Sequence, residues 1–327
     1  MILTVTPNPA IDMTYHVDSF DRGKTLRVDT GVSRAGGKGL NVARVARQAG
    51  GDAFALTTVG GETGREFEAD LIASALPHRL VPVTAATRRS IAIVDAADGS
   101  TTIMNERGSA LTGTEWRSLL GAAREQLTGG SPTGAKSGGS VSADGSGRGC
   151  LVGSGSLPPG VPEAFYADLV ATAAEYRVPA VIDAVGPALL NAARAGADVV
   201  KPNRAELLET TGQTDPAAGA RQLLDAGTGL VLVSLGDEGM LIVSTADAAH
   251  PLHARLPRAL DGNPTGAGDA AVAAVAVSLA DGIRDPETIL RRATAWSAAA
   301  VLMPVAGAIA DNYLELERLI VLEPWTA

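Results

Sequence analysis

Short runs of β-branched residues alternate with Ala-rich stretches along almost the whole chain of 327 residues. The runs have the length of strands, and most of the stretches between them have the length of helices. Parallel strands need crossover connections, so this alternation predicts βαβ units around a mainly parallel sheet. The predicted strands cover residues 2–6, 53–59, 90–95, 101–105, 151–153, 180–183, 199–201, 230–234 and 240–244. The predicted helices cover residues 39–49, 63–75, 114–127, 162–176, 187–195, 204–211, 216–226, 270–281 and 286–303.

The composition supports an α/β fold with an aliphatic core. Apolar residues make up 46% of the chain, but aromatic residues only 3%. The core must therefore consist of Ala, Val, Leu and Ile, which suits strands sandwiched between helices. The formal net charge is −9, so we expect neither nucleic acid nor a membrane as a partner. An anionic ligand would need a local basic patch.

The single cysteine, Cys150, excludes an internal disulfide and fits a reducing compartment. The first residues resemble a strand more than a signal peptide, and no apolar stretch reaches the length of a membrane span. A cytoplasmic location is therefore expected.

Two segments depart from the alternation of strands and helices. About residues 13–32 and 88–105, alternating residues predict strands without helices between them, which could pair into a small antiparallel flap over one edge of the main sheet. Residues 128–149 are rich in Gly and Ser and predict a flexible surface loop. Because the alternation resumes after this loop, we interpret it as an insertion in one domain that covers residues 1–327.

A glycine-rich turn, Thr265-Gly266-Ala267-Gly268-Asp269, leads directly into a predicted helix. Backbone N–H groups at a helix N-terminus form an anion site, and glycine allows a phosphate to approach closely. A carboxylate beside such a site could remove a proton from an attacking hydroxyl. The alternative is that Asp269 only caps the helix.

A second glycine-rich segment, Gly36-Gly37-Lys38-Gly39, also opens a helix and is followed by Asn41. Lys38 and Asn41 could reach a polar ligand from one turn, and Gly37 would allow close approach. The segment lacks the Walker A spacing. The alternative is a helix terminus that packs tightly on a strand.

Other candidates are weaker when taken alone. Asp12 follows the first strand, where ligands of open α/β sheets bind, but could be an ordinary turn residue. Arg88 and Arg107 flank the predicted flap and could bind a substrate phosphate, although arginines on a strand are usually solvated.

Two segments in the second half could serve a nucleotide. Asn203 and Glu206 could position a hydrated Mg²⁺, but their spacing is also that of a capping box. The segment Ser234-Leu235-Gly236-Asp237-Glu238-Gly239 could let a nucleotide lie against the backbone, or could be a plain hairpin turn.

Taken together and in order, these segments resemble the ribokinase-like PfkB family of carbohydrate kinases. The resemblance also includes Asn8-Pro9-Ala10-Ile11-Asp12, Thr87-Arg88 and Gly155-Ser156-Leu157-Pro158-Pro159-Gly160. The first and last of these point to the subgroup that phosphorylates phosphosugars: 1-phosphofructokinase, tagatose-6-phosphate kinase and the minor 6-phosphofructokinase. Residues 128–149 and the lead-in at residues 261–264 depart from the family pattern.

The resemblance implies a three-layer α/β/α fold with a mainly parallel central sheet and a small β-sheet lid. It implies ATP and Mg²⁺ as cofactors, a phosphosugar as substrate and Asp269 as the base, with the amides of residues 266–269 as an anion hole. The expected roles divide by ligand. The sugar and its phosphate would be held by Asp12, Gly37, Lys38, Asn41, Arg88 and Arg107. The nucleotide would be held by Asn203, Glu206, Ser234, Gly236, Asp237, Gly239 and Thr265.

Glu206 would reach Mg²⁺ through water. With these roles, the capping-box and hairpin interpretations become the less favoured ones. We expect fructose 1-phosphate as the substrate and fructose 1,6-bisphosphate as the product. Alternatives are tagatose 6-phosphate, fructose 6-phosphate, an unphosphorylated sugar or nucleoside, or a non-catalytic sugar-phosphate sensor. A homodimer through the lid is a further expectation.

Overall fold

The structure of the protein is a computed structural model that describes residues 1–21, 23–129 and 149–326. The glycine- and serine-rich loop predicted over residues 128–149 lies outside the described residues except at its two ends.

A ten-stranded sheet forms the centre of the molecule. In spatial order its strands are β14 (Val321–Pro324), β13 (Leu252–Arg255), β12 (Met240–Ser244), β11 (Leu230–Ser234), β10 (Val199–Val200), β9 (Ala180–Asp183), β8 (Cys150–Ser154), β1 (Ile2–Thr6), β4 (Ala53–Val59) and β5 (His78–Pro82). The strands from β11 to β5 in this order are parallel, whereas β12, β13 and β14 pair antiparallel. The predicted mainly parallel sheet is confirmed.

Helices cover both faces of this sheet. They are α1 (Lys38–Gln48), α2 (Gly61–Ala73), α3 (Gly113–Leu127), α4 (Phe165–Glu175), α5 (Gly186–Arg194), α6 (Arg204–Thr211), α7 (Pro216–Ala226), α8 (Ala267–Ala280), α9 (Pro286–Val301) and α10 (Tyr313–Leu319). Successive strand residues enter opposite cores: Leu230 and Leu232 join the cluster of α1, α8 and α9, while Val231 joins that of α3 to α7. This alternation produces the expected three layers.

The small sheet has four strands, in the order β3 (Val32–Gly36), β2 (Ala10–Val17), β6 (Arg88–Asp95) and β7 (Thr101–Asn105). We call these four strands the lid. The prediction of an antiparallel flap was wrong at its centre, because β2 and β6 are parallel. A parallel pair needs a long crossover, and here α1, β4, α2 and β5 supply it between the two strands. The first lid segment is also displaced from the predicted residues 13–32, since β2 begins at Ala10 and β3 ends at Gly36.

Four elements are absent from the predictions: β5, β13, β14 and α10. The three strands are four or five residues long and contain charged residues or proline, and α10 has seven residues. Their hydrophobic periodicity is too short to distinguish them from loops. Among the described helices, none has the length and apolar character that a membrane crossing requires.

Candidate active site

A cavity of about 900 Å³ lies between the lid and the carboxyl ends of the central strands. All but one of the predicted site residues line it: Asp12, Gly37, Lys38, Asn41, Arg88, Asn203, Glu206, Ser234, Gly236, Asp237, Gly239, Thr265, Gly266, Ala267, Gly268 and Asp269. The exception is Arg107. Residues distant in sequence therefore meet at the switch region of an open α/β sheet, where ligands of such folds bind.

Asp269 lies in the first turn of α8, at the floor of the cavity. The helix begins after Gly266, whose φ of 87° is in the left-handed region that glycine tolerates. The carboxylate makes no capping hydrogen bond, so the alternative that Asp269 caps the helix was wrong. Instead, its Oδ2 accepts a hydrogen bond from Asn41 Nδ2 at 2.8 Å, and only 7% of the residue is exposed.

The predicted anion hole has fewer available backbone N–H groups than expected. The N–H of Ala267 donates to the carbonyl of Pro264 at 3.1 Å, which removes one of the four predicted amides. The amides of Gly268 and Asp269 remain at the positive end of the helix dipole. Gly268 lies close to a cation as well, since a Cβ added there would be 3.4 Å from Lys201 Nζ.

Burial raises the pKa of Asp269 to about 7, and the nearby carboxylate of Asp183 acts in the same direction. Lys38, Asn41 and Lys201 oppose this shift because they favour the ionised form. A carboxylate with a pKa near neutrality is ionised in part of the molecules at the pH of the cell, and in that form it can accept a proton.

Two residues that sequence reasoning missed, Asp183 and Lys201, form a charge network beside this carboxylate. Asp183 Oδ1 lies 3.2 Å from Lys38 Nζ and 3.7 Å from Lys201 Nζ, and Glu206 Oε1 lies 3.6 Å from Lys38 Nζ. Burial disfavours charge on both Lys38 and Asp183, but their partners outweigh it, so the pKa of Lys38 is raised and that of Asp183 lowered. Asp183 ends a strand, which is the signal that selected Asp12 and could also have found it.

The lid side of the cavity is polar. Asp12 stands on β2, and a Cβ added to Gly36 would lie 1.9 Å from its Oδ2, so the carboxylate rests directly on the β3 backbone. Burial raises the pKa of Asp12 to about 6, against the effects of Arg88, Arg44 and Arg34. Four further polar residues complete this wall and were not predicted as site residues: Asn8, Ser90, Asn105 and Ser156.

The two predicted arginines differ in position. Arg88 lines the cavity, and its guanidinium donates to the carbonyls of Asn8 (3.3 Å) and Glu106 (2.9 Å). The Arg107 side chain is exposed and lies outside the cavity wall, whereas its carbonyl accepts from Asn8 Nδ2 at 3.1 Å. The main chain of Arg107, and not its side chain, therefore contacts a residue of the cavity wall.

The capping box and the hairpin are both present. Asn203 Oδ1 accepts from the Glu206 N–H and Glu206 Oε2 from the Asn203 N–H, each at 2.8 Å. Strands β11 and β12 pair antiparallel around a short 3₁₀ turn at Gly236–Glu238. The sequence interpretation that set these structures aside was wrong, yet the same residues line the cavity. Capping fixes Glu206 and leaves its Oε1 toward Lys38.

The end of the cavity opposite the lid is mostly aliphatic. Its wall includes Leu256, Ala259, Leu260, Ala298 and Val301, with Thr294 and Ser297 beside them. Thr294 Oγ1 donates its proton to the Leu290 carbonyl at 2.8 Å, so toward a ligand it can act only as an acceptor. No motif marks these positions in the sequence. The cavity thus combines a polar end, a buried carboxylate at an anion site, and an apolar end suited to a flat base.

The sequence matches the family described as pfkB family carbohydrate kinase over residues 6–138 and 145–311. The chain belongs to this family. A 1-phosphofructokinase of Xanthomonas campestris pathovar campestris is 35% identical over 90% of this chain and 89% of its own. ATP-dependent 6-phosphofructokinase isozyme 2 of Mycobacterium tuberculosis is 32% identical over 98% of this chain and 89% of its own.

A solved structure has the same fold. The Escherichia coli phosphofructokinase-2, crystallised in complex with fructose-6-phosphate, superposes with a TM-score of 0.82 over 97% of this chain and 98% of its own, at 28% identity. The three-layer fold with its lid is confirmed. As a pfkB family carbohydrate kinase, the protein is a phosphotransferase with an alcohol group as acceptor, and kinases of this family use ATP.

Proposed function

We propose that this kinase phosphorylates a ketohexose phosphate, with fructose 1-phosphate as the first candidate and fructose 1,6-bisphosphate as its product. The observation that carries the proposal is the position of Asp269, buried at an anion-binding helix terminus between a polar and an apolar end of one cavity. Arg88 lies on the wall beside the sugar end, where a phosphorylated sugar needs a cation and a neutral sugar does not. Lys38, which the resemblance assigned to the same sugar phosphate, lies beside Asp183 and Asp269, and we assign it to the transferred phosphoryl group.

In this proposal Asp269 accepts the proton of the sugar hydroxyl while the hydroxyl oxygen forms a bond to the γ-phosphorus of ATP. The bond from that phosphorus to the bridging oxygen breaks, and its electron pair leaves with ADP. The hydrogen bond from Asn41 orients the carboxylate. Lys38 and the amides of Gly268 and Asp269 stabilise the charge on the phosphoryl group.

The donor set fits Mg²⁺ only as an ion that keeps most of its waters. Among the described residues, no group of three His, Cys, Asp or Glu side chains could hold a metal. The capping box uses Glu206 Oε2, and Oε1, which lies 3.6 Å from Lys38 Nζ, would contact the ion through water, with the nucleotide phosphates as the main ligands. When bound, the ion would neutralise charge on the phosphates.

Fructose 6-phosphate is the second candidate substrate. The 6-phosphofructokinase relative matches 98% of the chain, compared with 90% for the 1-phosphofructokinase, at slightly lower identity. The two substrates carry their phosphate at opposite ends of the sugar, so the lid residues that face it must decide between them. Ser90 and Asn105 are the uncharged polar lid side chains that line the cavity and are available for this choice.

ATP consumption across a substrate panel tests the proposal. The panel contains fructose 1-phosphate, fructose 6-phosphate, tagatose 6-phosphate and unphosphorylated hexoses and nucleosides. We expect kcat/KM to be highest for fructose 1-phosphate and at least about tenfold lower for unphosphorylated sugars. A preference for an unphosphorylated acceptor would contradict the proposal, as would sugar-phosphate binding without turnover.

The homodimer through the lid stays a prediction. The outward lid strands expose Val32, Ile103 and Met104 at 56%, 45% and 51%. Light scattering coupled to size-exclusion chromatography tests it, and a mass of one chain at micromolar concentration would contradict it.

A further inference from the structure

The backbone of the lid's edge strand is held by two side chains from the helices beneath it. Strand β3 has β2 as its one strand neighbour in the described sheet. At Ala35, the N–H donates to Asp70 Oδ2 at 3.0 Å and the carbonyl accepts from Arg44 Nη1 at 2.6 Å. Arg44 belongs to α1 and Asp70 to α2, so both backbone groups of one lid residue are bound by the main body.

Arg44 and Asp70 also bind each other. Arg44 Nη2 lies 3.1 Å from the same Asp70 oxygen that accepts from Ala35. The arginine side chain is 6% exposed and the aspartate 30%. Burial lowers the pKa of Arg44 to about 10, with a contribution from Arg34, so the guanidinium stays charged at neutral pH. A buried charge of this kind is costly to leave without its partner, which makes the arrangement sensitive to the loss of either residue.

We call the pair Arg44 and Asp70 the clamp. It binds β3 at Ala35, one residue before Gly36, whose backbone contacts the Asp12 carboxylate. A Cβ on Gly36 would overlap the Asp12 carboxylate, so β3 and this carboxylate are in direct contact. Asp12 is also paired in register with Arg34, the residue before Ala35. A shift of β3 at Ala35 must therefore move the Asp12 carboxylate or open a gap beneath it.

We propose that Arg44 and Asp70 are positioning residues that clamp β3 and thereby place Asp12 for the sugar. The proposal rests on the sugar-binding role proposed for Asp12. Neither Arg44 nor Asp70 is part of the cavity wall, so neither acts on the ligand directly. Arg44 also favours the ionised form of Asp12, an effect that a lysine at this position would keep in sign. The clamp supplies the edge of β3 with contacts that another strand would have made, and it does so at the point where the lid joins α1.

The first test is Asp70→Asn, with Glu68→Gln as its control. Glu68 is an exposed residue of the same helix, so its substitution removes the same charge without touching β3. We expect Asp70→Asn to raise KM for fructose 1-phosphate, or for the best acceptor of the panel, about tenfold. KM for ATP and kcat should stay within about twofold, and Glu68→Gln should change neither. A general loss of folding would lower kcat and both affinities together, and that outcome would overturn the proposal.

A second variant tests whether the Arg44 guanidinium must bind the Ala35 carbonyl and Asp70 at the same time. Arg44→Lys keeps the charge, but a lysine cannot bridge the Ala35 carbonyl and Asp70 as a planar guanidinium does. We expect the same selective rise in KM for the sugar phosphate. Wild-type kinetics in Arg44→Lys would overturn the clamp, because a charge alone would then suffice.

A double-mutant cycle separates the clamp from the proposed role of Asp12. If Asp70 acts through Asp12, the variant with both Asp12→Asn and Asp70→Asn should bind the sugar phosphate no more weakly than Asp12→Asn alone, measured by titration calorimetry. If the two substitutions multiply their effects on the dissociation constant, Asp70 does not act through Asp12. That result would overturn the clamp proposal and leave the role of Asp12 intact. A wild-type affinity in Asp12→Asn would refute the sugar role itself, and with it the proposed route from Asp70 to the ligand.

Discussion

Helix α8 and the lid are the two regions that meet across the cavity, and they are built very differently. Every residue of α8 from Asp269 to Leu279 is buried, and the helix packs between α1 and α9. In the lid, all five residues of β7 are exposed and seven of the eight residues of β6 are only partly buried. The carboxylate proposed for chemistry therefore lies in dense packing, whereas Asp12 and Arg88, which are proposed to bind the sugar phosphate, lie on a thin sheet.

We infer from this difference that α8 serves the chemical step and that the lid serves sugar binding. A helix buried on all sides cannot shift without disrupting the core, so it holds Asp269 and its anion site in a fixed geometry. A small sheet with few neighbours can adjust its side chains to a different sugar without loss of the fold. Substitutions near α8 should therefore change kcat, and substitutions in the lid should change KM for the sugar.

The largest effect is expected for Asp269→Asn. Loss of the base should lower kcat by about 10²–10⁴-fold, while the dissociation constant of the sugar phosphate stays within about threefold. Asp281→Asn, at the exposed end of the same helix, is the matched control and should keep normal kcat. Steady-state kinetics and titration calorimetry measure both quantities. A near-normal kcat in Asp269→Asn would show that Asp269 is not the base.

Lys38→Met should lower kcat/KM by about 10²-fold, because a cation that stabilises the transferred phosphoryl group is lost. It should also move the acid limb of the pH profile of kcat/KM upward. Lys38 favours the ionised form of Asp269, whose pKa is about 7, so its removal raises that pKa further.

Lys38→Arg is the control for this prediction. It keeps the positive charge, and its acid limb should stay near pH 7. If the acid limb of the kcat/KM profile is unshifted in Lys38→Met, that limb does not reflect the ionisation of Asp269.

In the lid, Arg88→Ala should raise KM for the sugar phosphate about tenfold and leave KM for ATP within about twofold. Arg107→Ala is the matched control, and its effect should stay within about twofold, because its side chain is exposed outside the cavity wall. Kinetics with each substrate varied in turn measure both. Equal effects of the two substitutions would show that the lid binds its ligand in another arrangement. A fall in kcat without a change in KM would break the division between lid and body.

The smallest effect concerns stability. The pKa of Asp269 in the folded protein is raised from 3.8 to about 7, so the folded state binds a proton more tightly than the unfolded state. Tighter proton binding by the folded state contributes to the free energy of unfolding. This contribution is fully present below about pH 4 and is lost as the pH rises through 7. Asparagine cannot ionise, so the Tm of Asp269→Asn relative to wild type should increase by about 2–4 °C between pH 5 and pH 8.

Differential scanning calorimetry at both pH values measures this change, with Asp281→Asn as the control. A constant difference between Asp269→Asn and wild type would contradict the raised pKa.

Long periodic segments made much of the fold predictable from sequence. Helices α6 and α7 begin and end at the predicted residues, because Asn203 and Asp215 cap them and glycine follows each. The lid was harder to predict, since the direction of β2 relative to β6 depends on a connection of seventy residues between them. Local alternation predicts that strands exist but not which neighbours they pair with.

The sequence by itself determined the α/β class, the family and most of the residues that line the cavity, because glycine turns and helix starts are local signals that survive without tertiary context. The tertiary structure alone decided how those residues act together. It paired Asp183 with two lysines, left Arg107 outside the cavity wall and placed Arg44 and Asp70 on the edge of β3. Burial and charge proximity arise only when distant segments pack, and these two quantities set the pKa of Asp269 near neutrality.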